Sequence, residues 1–307
     1  MDRKLMLDFP KKIVVAKNKR KFKKEYLWGY LFIASPIVGF LLFAFLPMLF
    51  SIYVSFTEFD LYSPARFNGL ENYKQLFQDD IFIKTVGNTF YAALGIPIGM
   101  IFSLMIAIAL NQRIKGLTFF RTAFFLPTVC SIVALTLLWK WIFNSDFGLL
   151  NILLSYIGVS GPAWLSDEHW AMPAMIIQGV WGGLGVNMIL YLAALQSVPK
   201  DLYEAAEIDG ANGWHKLIYI TIPSISPTTF FILVTSIIGA LQDFQRFMIM
   251  TEGGPNYATT TVVYYLFLNA FRYMKMGYAS AMAWVLGIII LIITIINFKL
   301  SKKWVHY

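Results

Sequence analysis

The stretch SVPKDLYEAAEIDGANGWHKLIYITIPSISP, residues 197–227, is the only long polar interruption in the second half of an otherwise apolar chain. Pro199 suits the first turn of a helix, where its missing N–H costs nothing. Asp209 and Gly210 form a turn signal, and Asn212 is a good N-cap for a second helix. The stretch therefore predicts two short helices joined by a turn, a surface hairpin suited to docking.

The composition around this hairpin is that of a membrane protein. Hydrophobic residues make up 58% of the 307 residues and charged residues 14%, against about 25% charged in soluble proteins. A helix needs about 20 apolar residues to span a bilayer. Six uncharged runs reach or nearly reach that length: 27–57, 85–112, 122–139, 169–199, 217–242 and 276–298. We therefore predict an all-α membrane protein with six transmembrane helices, and an interfacial or re-entrant segment at 256–271.

The distribution of Lys and Arg predicts the orientation of the chain. With the amino terminus inside, the inner segments carry eighteen of these residues and the outer segments five. We therefore expect residues 1–26 to form a basic cytoplasmic tail and residues 27–303 to form the transmembrane domain. Both termini and the 197–227 hairpin are expected in the cytoplasm. A basic segment beside a membrane helix favours contact with membrane lipids over nucleic acid.

The motifs of several enzyme classes are missing from the sequence. There is no GxxxxGK[ST] phosphate loop, no HExxH zinc motif and no GxSxG elbow, and the three histidines are far apart. We therefore expect a non-catalytic chain that binds no metal and no cofactor. An ion-coupled secondary transporter is the alternative class, but Asp243 is the one intramembrane acid that it could use. That alternative also leaves the polar hairpin without a role.

Polar side chains inside the apolar runs are candidates for cargo binding, because such groups are costly in a bilayer and are commonly functional. They lie on the predicted third, fourth and fifth helices: Thr128, Trp181, Asn187, Ser236, Gln242 and Asp243. Amides, carboxylates and aromatic rings suit a polar, ring-shaped solute such as a sugar. Two structural alternatives stay open. The tryptophans can be interfacial or core residues, and Asp243 and Arg246 can simply pair on one helical face.

The hairpin carries a family resemblance. Glu204-Ala205-Ala206, followed by Asp209-Gly210-Ala211, resembles the EAA loop of permease subunits of ATP-binding cassette (ABC) importers. Further landmarks extend the resemblance over about residues 85–300: FLPTV at 125–129, MTEGGPNYATTT at 250–261 and MGYASAMA at 276–283. The chain is most similar to the binding-protein-dependent sugar permeases of the maltose, glycerol-3-phosphate and multiple-sugar type.

The resemblance implies a type I ABC importer transmembrane domain in the cytoplasmic membrane of a prokaryote. It also implies three partners: a second EAA-motif permease, a dimer of cytoplasmic ATPase subunits that bind ATP and Mg, and an extracytoplasmic solute-binding protein. In that family the hairpin is a coupling helix seated in the ATPase. The matching positions here are Glu204, Ala205, Ala206, Asp209 and Gly210.

The resemblance also implies where cargo passes. The family's sugar-contacting positions fall on Thr128, Gly183, Ser236 and Asp243, among others, with Gln242 and Asn187 as neighbours that can substitute. Several other matched positions are apolar here, so the location of the cavity carries over better than the sugar. The expected cargo is a carbohydrate, an oligosaccharide in the first instance, moved by alternating access. Glycerol-3-phosphate or its diesters are the alternative cargo.

Overall fold

The computed structural model describes residues 19–112 and 115–306, so most of the predicted basic tail lies outside the described residues. The chain divides into two units, the first ending at Ser51. The first unit contains α1 (Lys19–Phe40), a π-helical turn (Leu41–Phe45) and the beginning of α2 (Leu46–Ser55).

The second unit, from Ile52 onward, contains a small strand pair and the other helices. β1 (Thr57–Glu58) pairs antiparallel with β2 (Arg66–Phe67). The helices that follow are α3 (Glu71–Gln78), α4 (Asp80–Ala93), α5 (Gly95–Leu110), α6 (Leu117–Val129), α7 (Ile132–Ile142), α8 (Leu149–Tyr156), α9 (Glu168–Ser197), α10 (Lys200–Ile208), α11 (Gly213–Lys216), α12 (Ile222–Ser224), α13 (Ser226–Leu241), α14 (Gln245–Met250), α15 (Val262–Phe267) and α16 (Met276–Ser301). Two π-helical turns, Leu217–Thr221 and Leu268–Arg272, continue α11 and α15.

Several of these helices are candidate membrane spans. Four are long and apolar enough to cross a membrane: Tyr26–Ser55, Asp80–Leu110, Glu168–Ser197 and Met276–Ser301. Two bent pairs also pass as spans if each pair is taken together: α6 with α7, bent by 102°, and Gly213–Ser224 with α13, bent by 63°. By length and composition, the described residues therefore contain four to six candidate spans. The 256–271 segment begins in an irregular loop and continues as α15 and its π-helical turn, which at about 1.5 Å per residue are too short to cross a bilayer.

The predicted third helix is broken in its middle, which corrects the expectation of one continuous span. Pro127 has no N–H to extend the helical ladder, and α6 ends two residues later at Val129. Cys130 is extended, and α7 begins at Ile132 in a new direction. The predicted fifth helix, expected over about residues 224–249, also ends early, at Leu241, before the separate α14. Apolar composition alone does not predict where, within an apolar run, the backbone hydrogen bonds of a helix end.

Three clusters of buried side chains hold the second unit together. The first lies where α5, α9 and α13 meet, the second joins α3, α4, α15 and α16, and the third joins α7, α9 and α14. A small residue lies at the contact of α5 with α9: a Cβ at Gly99 of α5 would be in ordinary van der Waals contact, 3.9 Å from the Cα atom of Val180 in α9. The helices around this contact form the wall of the cavity described below.

Asp79 connects three helices of the second cluster. Its Oδ1 atom caps α4 by accepting from the backbone N–H groups of Ile81 (2.9 Å) and Phe82 (3.2 Å). Its Oδ2 atom accepts from the hydroxyl groups of Tyr265 in α15 (2.8 Å) and Tyr278 in α16 (2.7 Å). Burial raises the pKa of the Asp79 carboxyl, but the four hydrogen bonds outweigh burial and hold the pKa below its ordinary value.

Asp79→Ala is expected to destabilise the protein by roughly 3 kcal/mol, because a helix cap and two charge-assisted hydrogen bonds are lost together. Thermal unfolding in detergent measures the loss. The neighbouring, exposed Asp80 is the matched control, since Asp80→Ala removes only a favourable charge from the first turn of α4, about 0.3–1 kcal/mol. Equal losses for the two variants would contradict the role assigned to Asp79.

The same contacts predict a pH dependence. Because the folded-state pKa of Asp79 is lowered, its contribution to stability is complete above the ordinary pKa of 3.8 and is lost as pH falls through the folded-state value. Asp79→Asn imitates the protonated group. The gap in melting temperature between wild type and Asp79→Asn should therefore be wide at neutral pH and close in strong acid. A gap that is independent of pH would contradict the assignment.

The loop of residues 251–261 is irregular but firmly hydrogen-bonded. The Nδ2 atom of Asn88 in α4 donates to the carbonyl oxygens of Tyr257 (2.7 Å) and Thr260 (2.9 Å). The hydroxyl groups of Thr251 and Thr259 lie 2.6 Å apart. These bonds fix the loop to α4 and so set the position of α14, which precedes it.

Candidate functional site

The candidate cargo site is a cavity of about 370 Å³ between α4, α5, α9, α13 and α14. Much of its wall is apolar or consists of glycine, which leaves backbone close to the open space. Four polar side chains also line it: Asn187 on α9, Ser236 on α13, Asp243 in the turn after α13, and Arg246 on α14. A mostly apolar cavity with a few polar groups is the usual form of a small-molecule site.

Asn187 and Ser236 are half-buried, and neither side chain has a hydrogen-bond partner among the described residues. An amide and a hydroxyl on a cavity wall can donate to and accept from a polar solute. Both residues were predicted as cargo contacts, and the fold brings them together on one wall with Gly183 and Asp243. Four of the predicted cargo residues therefore line a single cavity.

Arg246 is held firmly in this wall. Its Nε atom donates to Oδ2 of Asp243, and its Nη1 atom donates to Oε1 of Gln178 (2.9 Å) and to the carbonyl oxygen of Met175 (3.4 Å). The pairing of Asp243 with Arg246, one of the two alternatives raised by the sequence, is therefore confirmed. The side chains of Arg246 and Asp243 are only 18% and 15% exposed. The pair is thus largely removed from solvent and still borders the cavity.

Three predicted cargo residues lie off this wall. Thr128 packs against α9, where a Cβ at Gly185 would come within 2.4 Å of the threonine hydroxyl oxygen. The ring of Trp181 meets that of Trp139 edge to face, with ring centres 5.4 Å apart. Gln242 is exposed at the end of α13. Their predicted role as cargo contacts therefore has no support from the geometry of this cavity.

Arg246 is the polar wall residue that the predicted set of cargo contacts omitted. The available signal was a cation three positions after Asp243, at the edge of an apolar run. The α14 helix that carries Arg246 is also anchored at its other end, where the Nζ atom of Lys140 donates to the carbonyl oxygen of Ile249 (3.1 Å). Among the described residues, no group of three or more His, Cys, Asp or Glu side chains has the arrangement of a metal site.

The polar stretch 197–227 folds as two short helices, α10 and α11, with an exposed turn between them. Gly210 has a φ of +80°, a left-handed conformation that favours glycine. Two contacts brace the hairpin: Nζ of Lys216 lies 3.0 Å from Oε2 of Glu207, and the Tyr203 hydroxyl lies 3.0 Å from Oγ1 of Thr221. Two short helices joined by a turn are therefore present, and the turn fits glycine at position 210.

The outer face of this hairpin has no cover among the described residues. Glu204 and Ala205 are exposed, while Ala206 is half-buried. Two large apolar side chains beside them are also exposed, Ile208 by 87% and Trp214 by 67%. A face that combines an acidic residue with bare apolar side chains is typical of a docking surface.

Residues 88–303 match the family of binding-protein-dependent transport system inner membrane components. The chain belongs to this family. The match includes the α10–α11 hairpin and the whole cavity wall, so both features lie in the family's shared region. The protein is therefore a multi-pass membrane permease of the ABC transport class, and the class predicted from the hairpin is confirmed.

Relatives of this permease match it over nearly its whole length. It is 40% identical to the probable ABC transporter permease protein YesP of Bacillus subtilis, over 95% of this chain and 96% of the relative. It is 34% identical to the multiple sugar-binding transport system permease protein MsmF of Streptococcus mutans, over 93% and 98%. Among solved structures, a bacterial alginate ABC transporter in complex with an alginate pentasaccharide-bound periplasmic protein matches with a TM-score of 0.81 and 25% identity, over 94% and 98%.

Proposed function

We propose that this permease moves an oligosaccharide inward across the cytoplasmic membrane of a prokaryote as part of an ATP-driven importer. The observation that carries the proposal is full-length similarity, at 34% identity, to a permease named for multiple-sugar transport. The cavity supports it, because its uncharged amide and hydroxyl groups, Asn187 and Ser236, suit sugar hydroxyls. Ser236, Asp243, Asn187 and Gly183 are the proposed cargo contacts.

In this proposal the chain spans the membrane six times, with each bent pair counted as one span and both termini in the cytoplasm. The α10–α11 hairpin is then the cytoplasmic coupling helix. Its exposed face, with Glu204, Ala205 and Ala206 ahead of Asp209 and the Gly210 turn, docks on an ATPase subunit. This arrangement gives the uncovered face a partner and gives the permease a source of energy.

The complete importer contains a second EAA-motif permease, two cytoplasmic ATPase subunits that bind ATP and Mg, and an extracytoplasmic solute-binding protein. Closure of the ATPase dimer moves the hairpins together and turns the cavity outward, and hydrolysis of ATP resets it. No step of ATP chemistry is assigned to this chain. An ion-coupled transporter would leave the hairpin face without a function.

Deletion of the gene for this permease tests the proposed cargo. The deleted strain is expected to lose uptake of at least one radiolabelled oligosaccharide from a panel of lactose, arabinotriose and diacetylchitobiose. A plasmid copy of the wild-type gene should restore that uptake. Glycerol-3-phosphate is measured in parallel, and a loss confined to it would transfer the proposal to that cargo.

A further inference from the structure

We propose that Arg246 binds the cargo directly, and that its pairing with Asp243 makes the cavity selective for neutral saccharides. This inference rests on the proposed import of saccharides and adds a residue and a substrate class to it.

The guanidinium of Arg246 is anchored on two of its three nitrogen atoms. Its Nε atom donates to Asp243, and its Nη1 atom donates to Gln178 and to the carbonyl oxygen of Met175. The third nitrogen, Nη2, has no hydrogen-bond partner among the described residues, although Arg246 lies on the cavity wall. A donor that is fixed in position and left without an acceptor is ready for an oxygen atom of a bound solute, at little further cost in conformational entropy.

Gly179 makes room for this guanidinium. A Cβ at position 179 would lie 2.2 Å from Nη1 of Arg246 and 3.2 Å from Nη2, so any side chain there would displace the arginine. Gly182 and Gly183, on the same stretch of α9, have nothing within 4 Å of such a Cβ. The three atoms that a Cβ at position 179 would approach most closely therefore all belong to Arg246.

The charge of the wall sets the class of cargo. Asp243 and Arg246 are the charged side chains on it, and they are paired with each other, so the cavity is neutral as a whole. An anionic saccharide would lose its hydration without gaining an unpaired cation, which is unfavourable in a low-dielectric site. A neutral saccharide instead meets a donor at Nη2 of Arg246 and an acceptor at Oδ1 of Asp243, which has no described partner.

Binding to the purified importer complex, without its solute-binding protein, tests this inference. Ligand-induced thermal shifts give apparent affinities for three neutral probes, lactose, arabinotriose and diacetylchitobiose, and for the acidic digalacturonate. Omitting the solute-binding protein keeps its own selectivity out of the measurement. Wild type is expected to bind at least one neutral probe more tightly than digalacturonate.

Four substitutions at the site are compared with one control substitution, Gly182→Ala. Arg246→Gln and Gly179→Ala should each weaken binding of the neutral probe by about tenfold, while Gly182→Ala changes it less than twofold. Arg246→Lys, which keeps the charge and loses the planar fork, should weaken it similarly and replaces Arg246→Gln if that complex does not assemble. Asp243→Asn frees the charge of Arg246 and should shift the affinity ratio toward digalacturonate by about tenfold, a change that a merely structural role for Arg246 would not produce.

Three results would overturn the inference: neutral-probe affinity that Arg246→Gln and Gly179→Ala leave unchanged, an affinity ratio that Asp243→Asn does not move, or a wild-type complex that binds none of the neutral probes. Uptake by intact cells separates this failure from that of the proposed function. If cells with the wild-type permease import a neutral oligosaccharide while the binding results are negative, only the proposed role of Arg246 is contradicted, and the proposed function stands. If no saccharide uptake depends on this permease, both proposals fail.

Discussion

Glu204→Lys is expected to reduce cargo uptake by about 30-fold or more, because it reverses a charge at the proposed ATPase contact. Glu204 is exposed on α10, and its side chain has no hydrogen bond or ion pair with another described residue. The substitution should therefore leave the permease itself folded and change only how it meets a partner. Two measurements are needed: uptake of the labelled oligosaccharide by cells, and co-purification of the ATPase with the permease.

Glu71→Lys is the matched control for this prediction. It makes the same change of charge at an exposed position of α3, a segment predicted on the opposite side of the membrane from α10. Its ATPase co-purification should stay at the wild-type level. Normal uptake by Glu204→Lys, with a normally assembled complex, would remove Glu204 from the coupling contact.

Asp243→Ala is expected to destabilise the permease by roughly 3–5 kcal/mol and to abolish most uptake, because it leaves the poorly exposed Arg246 without its counter-charge. The sequence offered Asp243 both as a cargo contact and as a partner of Arg246, and the poorly exposed ion pair accounts for the loss of stability. Uptake is measured in cells, and the melting temperature of the permease is measured in membranes prepared from the same cells. Gln242→Ala, at the exposed neighbouring position, should change stability by less than about 0.5 kcal/mol.

The double variant Asp243→Ala with Arg246→Leu separates stability from transport. Replacing both partners of a buried ion pair by apolar side chains is often neutral, so the melting temperature should return toward that of wild type. Uptake should stay low, because both polar groups have left the cavity wall. Recovery of uptake together with stability would show that the pair serves the fold alone and takes no part in binding cargo.

The sequence predicted the fold well wherever a single physical signal was decisive. Long uncharged runs located the helices at Glu168–Ser197 and Met276–Ser301 within a few residues. The Asp209-Gly210 pair located the hairpin turn, since Gly210 adopts the left-handed conformation that the pattern requires. The break after Pro127 was missed because a proline in a membrane helix can be either tolerated or disruptive, and only the surrounding packing decides between these outcomes.

The candidate site was predictable in part. Asn187, Ser236 and Asp243 line one cavity as expected, because they lie in, or directly after, apolar helices that pack together. Thr128, on α6, instead packs against Gly185 of α9. The seating of Arg246 against Gly179 joins residues that are 67 positions apart in the sequence. A contact of that kind depends on tertiary packing, which residue spacing along one helix does not contain.

Uptake into proteoliposomes tests the central claim most directly. The permease is reconstituted with its partner permease and ATPase subunits, and the solute-binding protein and labelled oligosaccharide are added outside. We predict accumulation of the oligosaccharide only when ATP and Mg are present on the ATPase side and the solute-binding protein is present on the other. Accumulation driven by a proton or sodium gradient, in vesicles that contain no ATP, would contradict the account.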